Sequence, residues 1–232
     1  MKFGVAIAIL AAQCSAASKE DKEAYPIFDQ AITPAGYDWE AHQVKTDDGW
    51  HLTIFRIIGN SEPTAEHPVL LQHGYSGWAG VWADAIFGKG LPFGLVDEGY
   101  DVWLGNNRGT TYSNKHDRDG EWSLQERWDF SFSDMGMYDM PAQIDKVLEV
   151  TGKPKMTVIG YSQGSAQNLY AMAKKQDFFA ERVNRFIAVA VCMSGAPEYD
   201  SAETHAAEFL SEREGGEYYY PLDYDDAPSA AR

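Results

Sequence analysis

The sequence predicts an α/β fold, in which helices cover both faces of a mostly parallel β-sheet. Short apolar runs such as residues 69–72 have the continuous hydrophobic character of strands that are buried on both faces. These runs alternate along the chain with segments of helical periodicity, and parallel strands need such helical crossovers between them. At 232 residues the chain is long enough for one domain with a full hydrophobic core.

Three strands are predicted in the first half of the chain. Residues 50–58 alternate and are rich in β-branched and aromatic side chains, and the turn Asp47–Gly49 precedes them. Residues 69–72 and 100–104 are continuous apolar runs, which indicate buried parallel strands. A segment punctuated by glycines, between about residues 88 and 99, predicts a short helix before the third strand.

A longer helix is predicted from Asp139 onward. Asp139 can cap its first turn, Pro141 suits that turn, and Gly152 ends the helix. Its apolar residues share one face, as the helical period requires.

The second half continues with a strand, a helix and a further strand. An apolar run from Lys155 leads into the pentapeptide 160–164, and a helical pattern follows it. We expect one face of that helix to carry four residues: Ser165, Leu169, Met172 and Ala173. Residues 183–193 predict another strand.

The pentapeptide Gly160–Gly164 has the pattern G-x-S-x-G and carries Ser162 at its centre. Between a strand and a helix, this pattern is a nucleophile elbow, a tight turn that exposes a serine hydroxyl at the edge of a sheet. The glycines allow the strained turn and leave room for a substrate. The sequence therefore predicts acyl transfer to Ser162; the alternative is a surface Gly-Ser turn.

Acyl transfer also needs hydrogen-bond donors aimed at the oxyanion that develops. By position, the backbone N–H of Gln163 supplies the first donor. The second is expected from the loop that begins at His73–Gly74, with the N–H of Tyr75 as the candidate. A simple turn that ends the strand is the alternative interpretation of His73–Gly74.

Composition excludes several kinds of partner. A formal net charge of -16 argues against binding to nucleic-acid phosphates or to anionic membrane surfaces. No cluster of residues has the spacing of metal ligands, so neither a metal nor another cofactor is expected. No segment after the N-terminus approaches the length of a membrane span.

Residues 1–17 have the organisation of a secretory signal peptide. Lys2 provides the positive charge, residues 3–12 the apolar stretch, and residues 14–17 a cleavage site of small side chains. The alternative is a buried N-terminal helix. Cleavage removes Cys14, so Cys192 has no partner for an internal disulfide and is expected to be a buried apolar residue; a reactive thiol is the other possibility.

Several stretches together resemble a known family, the acid lipases of the gastric and lysosomal type, which are α/β-hydrolases. The stretches follow the order and spacing of that family over about residues 27–197. They are residues 36–49, 71–74, 101–109 with 113–116, 129–141, and 160–164.

The resemblance implies a serine enzyme that hydrolyses fatty-acyl esters, such as acylglycerols or sterol esters, at a lipid–water interface in the secretory or lysosomal lumen. Ser162 would be its nucleophile, with oxyanion N–H groups from Gln163 and Tyr75. His73 and Gly74 would shape the oxyanion loop.

The resemblance also bears on two other histidines and on the elbow itself. His42 and His116 match family positions whose expected role is structural. Tyr161 stands where the family usually has a histidine, which alters the packing around the elbow without replacing the nucleophile.

The family continues beyond the matching region through a cap and two more strands, which carry the aspartate and histidine of its catalytic triad. Nothing in this sequence matches those segments, so we expect an α/β-hydrolase domain cut short after the strand at 183–193, with an exposed sheet edge. Residues 198–232 are acidic and form a tail, the start of the cap or a disordered segment.

Three alternatives to a standard lipase stay open. Glu198 or Asp200 with His205 could replace the acid and base. The chain could be a catalytically incompetent, truncated fragment. It could also be an α/β-hydrolase of another specificity, such as a thioesterase or a peptidase.

Overall fold

A computed structural model of the protein describes residues 17–83 and 90–191. The strands of the described part are β1 (Asp38–Lys45), β2 (Trp50–Ile58), β3 (Val69–Gln72), β4 (Val102–Gly105), β5 (Lys115–His116), β6 (Met156–Tyr161) and β7 (Val183–Val189). The helices are α1 (Lys19–Ala24), α2 (Pro26–Ile32), α3 (Leu91–Asp97), α4 (Leu124–Arg127), α5 (Phe132–Asp134), α6 (Met140–Thr151), α7 (Gln163–Lys174) and α8 (Gln176–Arg182). Short 3-10 helices cover Thr33–Ala35 and Ala79–Ala83, and a π-helical turn covers Met135–Asp139.

The strands form one mixed sheet in the order β1-β2-β4-β3-β6-β7, and β5 pairs with β2. β4, β3, β6 and β7 run parallel to one another, as predicted from the sequence. β1 and β2 form an antiparallel hairpin at one end of the sheet, and β2 is also antiparallel to β4. This arrangement brings the carboxyl ends of β3 and β6 side by side, because the register pairs Gln72 with Gly160.

Two hydrophobic cores lie on opposite faces of the sheet, as the prediction of helices on both faces requires. Successive residues of β3 alternate between them: Leu70 belongs to the core under α6 and α7, whereas Val69 and Leu71 belong to the core under α2 and α3. The period of two in side-chain direction produces this division. The two cores therefore hold β3 and β6 in place from both faces of the sheet.

The predicted role of Asp139 as a helix cap is wrong. The backbone is already helical through the π-turn before it, and its side chain makes no capping bond. Instead the Asp139 carboxylate accepts hydrogen bonds from Arg108. Asp139 therefore binds the buried Arg108 side chain instead of the N-terminus of the helix. Gly152 ends the helix in the left-handed conformation as predicted (φ 65).

The face of α7 that is buried also differs from the prediction. Ala173 is exposed and Leu169 is only half-buried. The fully buried positions are Gly164, Ser165, Gln167, Asn168 and Ala171. Apolar periodicity missed this face because its middle consists of amides, which are buried because each has a hydrogen-bond partner.

The other predicted elements agree with the structure apart from their ends. The strand predicted at 100–104 runs over Val102–Gly105, and the strand predicted at 183–193 runs over Val183–Val189; residues 192–193 lie outside the described part. Strand β1 was not predicted. At the other end of the sheet, β7 exposes Ile187 by 39% and Val189 by 38%.

Candidate active site

Ser162 lies at the sharp turn between β6 and α7. Its backbone has φ 50 and ψ -117, outside the regions that residues with a side chain ordinarily adopt. The turn is held from both sides: the Ser162 N–H donates to the carbonyl of Val189 at 2.9 Å, and the Ser162 carbonyl accepts from the N–H of Ser165 at 2.9 Å. The strained elbow geometry predicted from the pentapeptide is therefore present.

Three glycines make this turn possible because no side chain fits where they lie. A Cβ on Gly160 would lie 2.7 Å from the Gly164 carbonyl oxygen, and a Cβ on Gly164 would overlap carbonyl oxygens at the end of β3. A Cβ on Gly74 would lie 3.0 Å from the Cβ of Ser162. The loop after β3 thus approaches the serine as closely as backbone can.

The His73 ring lies under this loop and is fully occupied. Its Nδ1 is 2.8 Å from the Gly74 carbonyl, and its Nε2 accepts the Asn107 N–H at 3.1 Å. These partners assign the proton to Nδ1. Burial lowers the pKa of His73 to about 4, despite the opposing hydrogen bond to Gly74. His73 is a neutral ring that ties this loop to the loop after β4, in keeping with the shaping role expected of it.

Asn107 connects three elements beneath the elbow. Its side-chain oxygen accepts from Gln72 at 2.9 Å and from Gln167 at 2.8 Å, and its amide donates to Gln167 at 3.0 Å. These side chains belong to β3, to the loop after β4 and to α7. Asn107 was not predicted as a site residue, although it lies in one of the stretches that carry the family resemblance.

A cavity of about 310 Å³ opens beside the elbow. The N–H groups assigned to the oxyanion belong to two of its lining residues, Gln163 and Tyr75, and the Tyr75 side chain is 54% exposed. Most of the opposite wall is apolar. The residues of that wall are Trp128, Phe130, Phe132 and Met135.

The π-helical turn Met135–Asp139 brings part of this wall against α7. Its Gly136 lies so close to the carbonyl of Gln167 that a Cβ would overlap it. The Nε2 of Gln163 lies 3.1 Å from the Sδ of Met135, which places Met135 at the elbow end of the cavity. Turns of this kind recur at functional sites because they redirect side chains within a helix.

Arg108 forms the floor of the cavity and holds two carboxylates. It donates to Asp48 at 2.6 and 2.9 Å, and to Asp139 at 2.9 Å from Nε and 2.8 Å from its backbone N–H. Burial raises the pKa of Asp139 to about 6, although the charge and hydrogen bonds of Arg108 oppose it. Burial also acts on Asp48, but hydrogen bonds from Arg108 and Thr46 hold the pKa of Asp48 below its usual value.

His42 and His116 bind groups away from the elbow. The Nε2 of His42 lies 3.2 Å from a Glu40 carboxylate oxygen. His116 lies 2.9 Å from the Asp48 carbonyl through Nε2 and accepts the Arg118 N–H through Nδ1 at 3.0 Å. The His42 contact lies within β1, whereas the His116 contact joins β5 to the turn before β2, which is a structural role.

Other residues named in the sequence analysis lie outside the described part. They are Cys14, Cys192, Glu198, Asp200 and His205. Within residues 17–83 and 90–191, no group of three or more His, Cys, Asp or Glu side chains could hold a metal ion. No helix in those ranges is long and apolar enough to cross a membrane.

Family models match almost the whole chain. The model of the alpha/beta hydrolase fold matches residues 67–232, and the model of the partial alpha/beta-hydrolase lipase region matches residues 28–85. The chain is an α/β-hydrolase of the lipase type. The resemblance to acid lipases expected from the sequence is thereby confirmed.

Curated relatives of this α/β-hydrolase carry lipase names. Lipase lipl-3 of Caenorhabditis elegans is 36% identical over 75% of the chain and 44% of the relative. Gastric triacylglycerol lipase of Mus musculus is 39% identical over 74% of the chain and 44% of the relative, and Lipase member M of Homo sapiens is 36% identical over 73% and 41%. The α/β-hydrolase chain spans less than half the length of these relatives.

Solved structures share the fold of this α/β-hydrolase. An esterase from Pyrococcus furiosus superposes with a TM-score of 0.50 at 17% identity, covering 78% of this chain and 59% of its own. A hypothetical protein from Pseudomonas aeruginosa superposes with a TM-score of 0.51 at 13% identity, covering 80% of this chain and 57% of its own. At these identities the likeness concerns the fold alone.

Proposed function

We propose that the protein is a serine ester hydrolase, a lipase that cleaves fatty-acyl esters such as acylglycerols or sterol esters through an acyl-enzyme at Ser162. The observation that carries the proposal is the position of Ser162 on a strained strand-to-helix turn beside an apolar cavity. Both residues assigned to the oxyanion, Gln163 and Tyr75, line that cavity. A fatty-acyl chain needs an apolar surface, and the ester carbonyl attached to it needs hydrogen-bond donors close by.

The reaction proceeds in two half-reactions. The Ser162 Oγ attacks the ester carbonyl carbon and gives its proton to a base, which passes it to the alcohol that leaves. Water then attacks the acyl-serine, loses a proton to the same base, and releases the fatty acid while the serine regains its proton.

Charge on the carbonyl oxygen is stabilised by backbone donors. The N–H of Gln163 begins α7, so no residue of that helix accepts it, and the helix dipole adds partial positive charge at the same point. The N–H of Tyr75 is the second donor in the proposal. Loss of one such donor typically costs about 100- to 1000-fold in rate.

His73 is not the base in this proposal. Both ring nitrogens are engaged, by the Gly74 carbonyl and the Asn107 N–H, and its low pKa of about 4 makes it a poor proton acceptor at neutral pH. We place the base and the acid of the triad outside residues 17–83 and 90–191. Glu198, Asp200 and His205 are candidates in the sequence.

The setting of the enzyme follows from the same considerations. Residues 1–17 have the pattern of a signal peptide, and a named relative is a gastric triacylglycerol lipase. We propose action in the secretory or lysosomal lumen at a lipid–water interface. The net charge of -16 disfavours nucleic acid as a partner.

The proposal is tested with Ser162→Ala in the native, full-length protein. Hydrolysis of an acylglycerol emulsion and of p-nitrophenyl esters is expected to fall by at least about 1000-fold, since the nucleophile is lost. Ser61→Ala, in an exposed loop, is the matched control and keeps full activity. An active Ser162→Ala protein refutes the assignment, and cleavage of peptides in preference to esters refutes the substrate class.

A further inference from the structure

We infer that Met135 and Trp128 set the acyl specificity of the cavity, with Met135 limiting bulk next to the ester carbonyl and Trp128 limiting the length of the acyl chain. The inference rests on the proposed function, because it assigns the cavity to the acyl part of an ester bound at Ser162. It commits to one occupant, a single unbranched chain of medium length.

The two residues lie against different parts of the fold. Met135 contacts Gln163, the residue after the serine, through its Sδ at 3.1 Å. Trp128 instead covers Gly109 in the loop after β4, where a Cβ would lie 2.7 Å from the indole Cζ3. Both line the same cavity, so one wall begins at the elbow and continues to the loop after β4.

Phe130, which lies between them in the wall, is held in place by packing contacts. Phe130 packs edge-on against Trp50, with ring centroids 5.3 Å apart, and the Arg108 guanidinium lies 5.9 Å from the Phe130 ring. Asp139 holds Arg108 in turn. A closely packed wall cannot move aside for a larger ligand without losing contacts, so its side chains determine what the cavity accepts.

The lining favours the acyl chain over the alcohol. The surfaces of Trp128, Phe130, Phe132 and Met135 match a hydrocarbon chain. The side from which the alcohol leaves must admit water for the second half-reaction. We therefore assign the apolar cavity to the acyl chain and the open side of the elbow to the alcohol.

The volume limits the length of that chain. A cavity of about 310 Å³ lies at the small end of ligand pockets, which typically enclose about 300–1,000 Å³. We expect kcat/KM to rise with acyl length up to a chain of medium length and then to level off or fall, since further carbons find no wall to bind.

The first measurement uses two ester series on the native, full-length protein. In Trp128→Leu the preferred length of p-nitrophenyl esters, from butyrate to palmitate, is expected to move upward, with the palmitate-to-octanoate ratio of kcat/KM rising at least about tenfold. In Met135→Ala that ratio stays unchanged, while the 2-methyl-branched octanoate gains at least about tenfold over the straight octanoate. Met137→Ala, on the same turn but absent from the cavity wall, is the matched control and changes neither ratio.

The second measurement is independent of catalysis. A dibrominated fatty acid quenches tryptophan fluorescence on contact, and Trp128 is the tryptophan among the described lining residues. Binding to Ser162→Ala protein is expected to quench part of the emission, and Trp128→Phe is expected to remove that part. The melting temperature of each variant shows whether it folds.

The outcomes separate the two proposals. Hydrolysis that depends on Ser162, with ratios unchanged in Trp128→Leu and Met135→Ala, overturns the inference and leaves the proposed function in place. Quenching through Trp128 without ester hydrolysis overturns the proposed function and supports the cavity as a fatty-acyl site. A shift of specificity in a series of alcohols, instead of acyl groups, overturns the acyl assignment. Absence of both quenching and hydrolysis overturns both proposals.

Discussion

Replacing Arg108 by leucine removes the cation that lies between two carboxylates at the floor of the cavity. The Arg108 side chain is 2% exposed and that of Asp139 is 0% exposed, whereas Asp48 retains 27%. In Arg108→Leu, Asp48 can still be hydrated, but Asp139 is left as a buried charge without a cation. Breaking a buried pair in this way typically costs about 3–5 kcal/mol.

The cost depends on pH in a direction that the pKa of Asp139 determines. Burial already raises that pKa to about 6, and loss of Arg108 raises it further because its charge and hydrogen bonds were lowering it. A carboxyl whose pKa is higher in the folded state binds its proton more tightly there. Its contribution is therefore fully favourable below the unfolded pKa and is lost as the pH rises through the folded pKa. The destabilisation in Arg108→Leu should shrink on acidification by up to about 1.4 kcal/mol per pH unit.

Urea denaturation of the native, full-length protein at about pH 8 and about pH 5 measures this difference. We expect a loss of about 3–5 kcal/mol at the higher pH and at least about 1 kcal/mol less at the lower pH. Arg182→Leu is the matched control, because its pair with Asp145 is exposed by 31% and 56% and such surface pairs contribute about 0–1 kcal/mol at either pH. Losses in Arg108→Leu that are below about 1 kcal/mol, or equal at the two pH values, would refute the reasoning.

Further predictions concern the elbow and its surroundings. Gly164→Ala places a methyl group against carbonyl oxygens at the end of β3 and should lower the free energy of unfolding by about 1–3 kcal/mol. Gly94→Ala, in α3, has nothing within 4 Å of the added methyl group and should raise the free energy of unfolding by about 0.5–1 kcal/mol. Thermal unfolding of the two variants measures both changes. Ser165→Ala loses the hydrogen bond from the Ser165 Oγ to the Gly160 carbonyl at 2.6 Å and should lower the free energy of unfolding by about 1–3 kcal/mol. Hydrolysis that depends on Ser162 should persist in this variant, which an activity assay at low temperature checks. A Ser165→Ala protein of full stability would contradict the role assigned to that hydroxyl.

The sequence predicted best those elements whose patterns are local. Residues 69–72 appeared as a strand because all four are buried, and Gly152 appeared as a helix end because the left-handed conformation favours glycine. The antiparallel strand β1 was missed: its burial is irregular, and its pairing with β2 depends on a partner strand and not on its own residues.

The candidate site divides in the same way. Ser162 and Gln163 follow from five adjacent letters, because the elbow is a local turn whose glycines have local reasons. Asn107 and Met135 do not follow from any local pattern. Their contacts with Gln167 and Gln163 join residues that are 60 and 28 positions apart in the chain.

The amino-acid sequence by itself determined the fold class, the family and the position of the candidate nucleophile, since each depends on short-range periodicity or on a compact motif. Only the tertiary structure decided that Asp139 binds Arg108 instead of capping a helix, that the buried face of α7 is made of amides, and that an apolar wall lies beside Ser162. The physical reason is that a polar side chain can be buried only where it finds a hydrogen-bond partner, and the fold determines that partner. A carboxylate or an amide leaves water only where a donor or acceptor from a distant part of the chain replaces it.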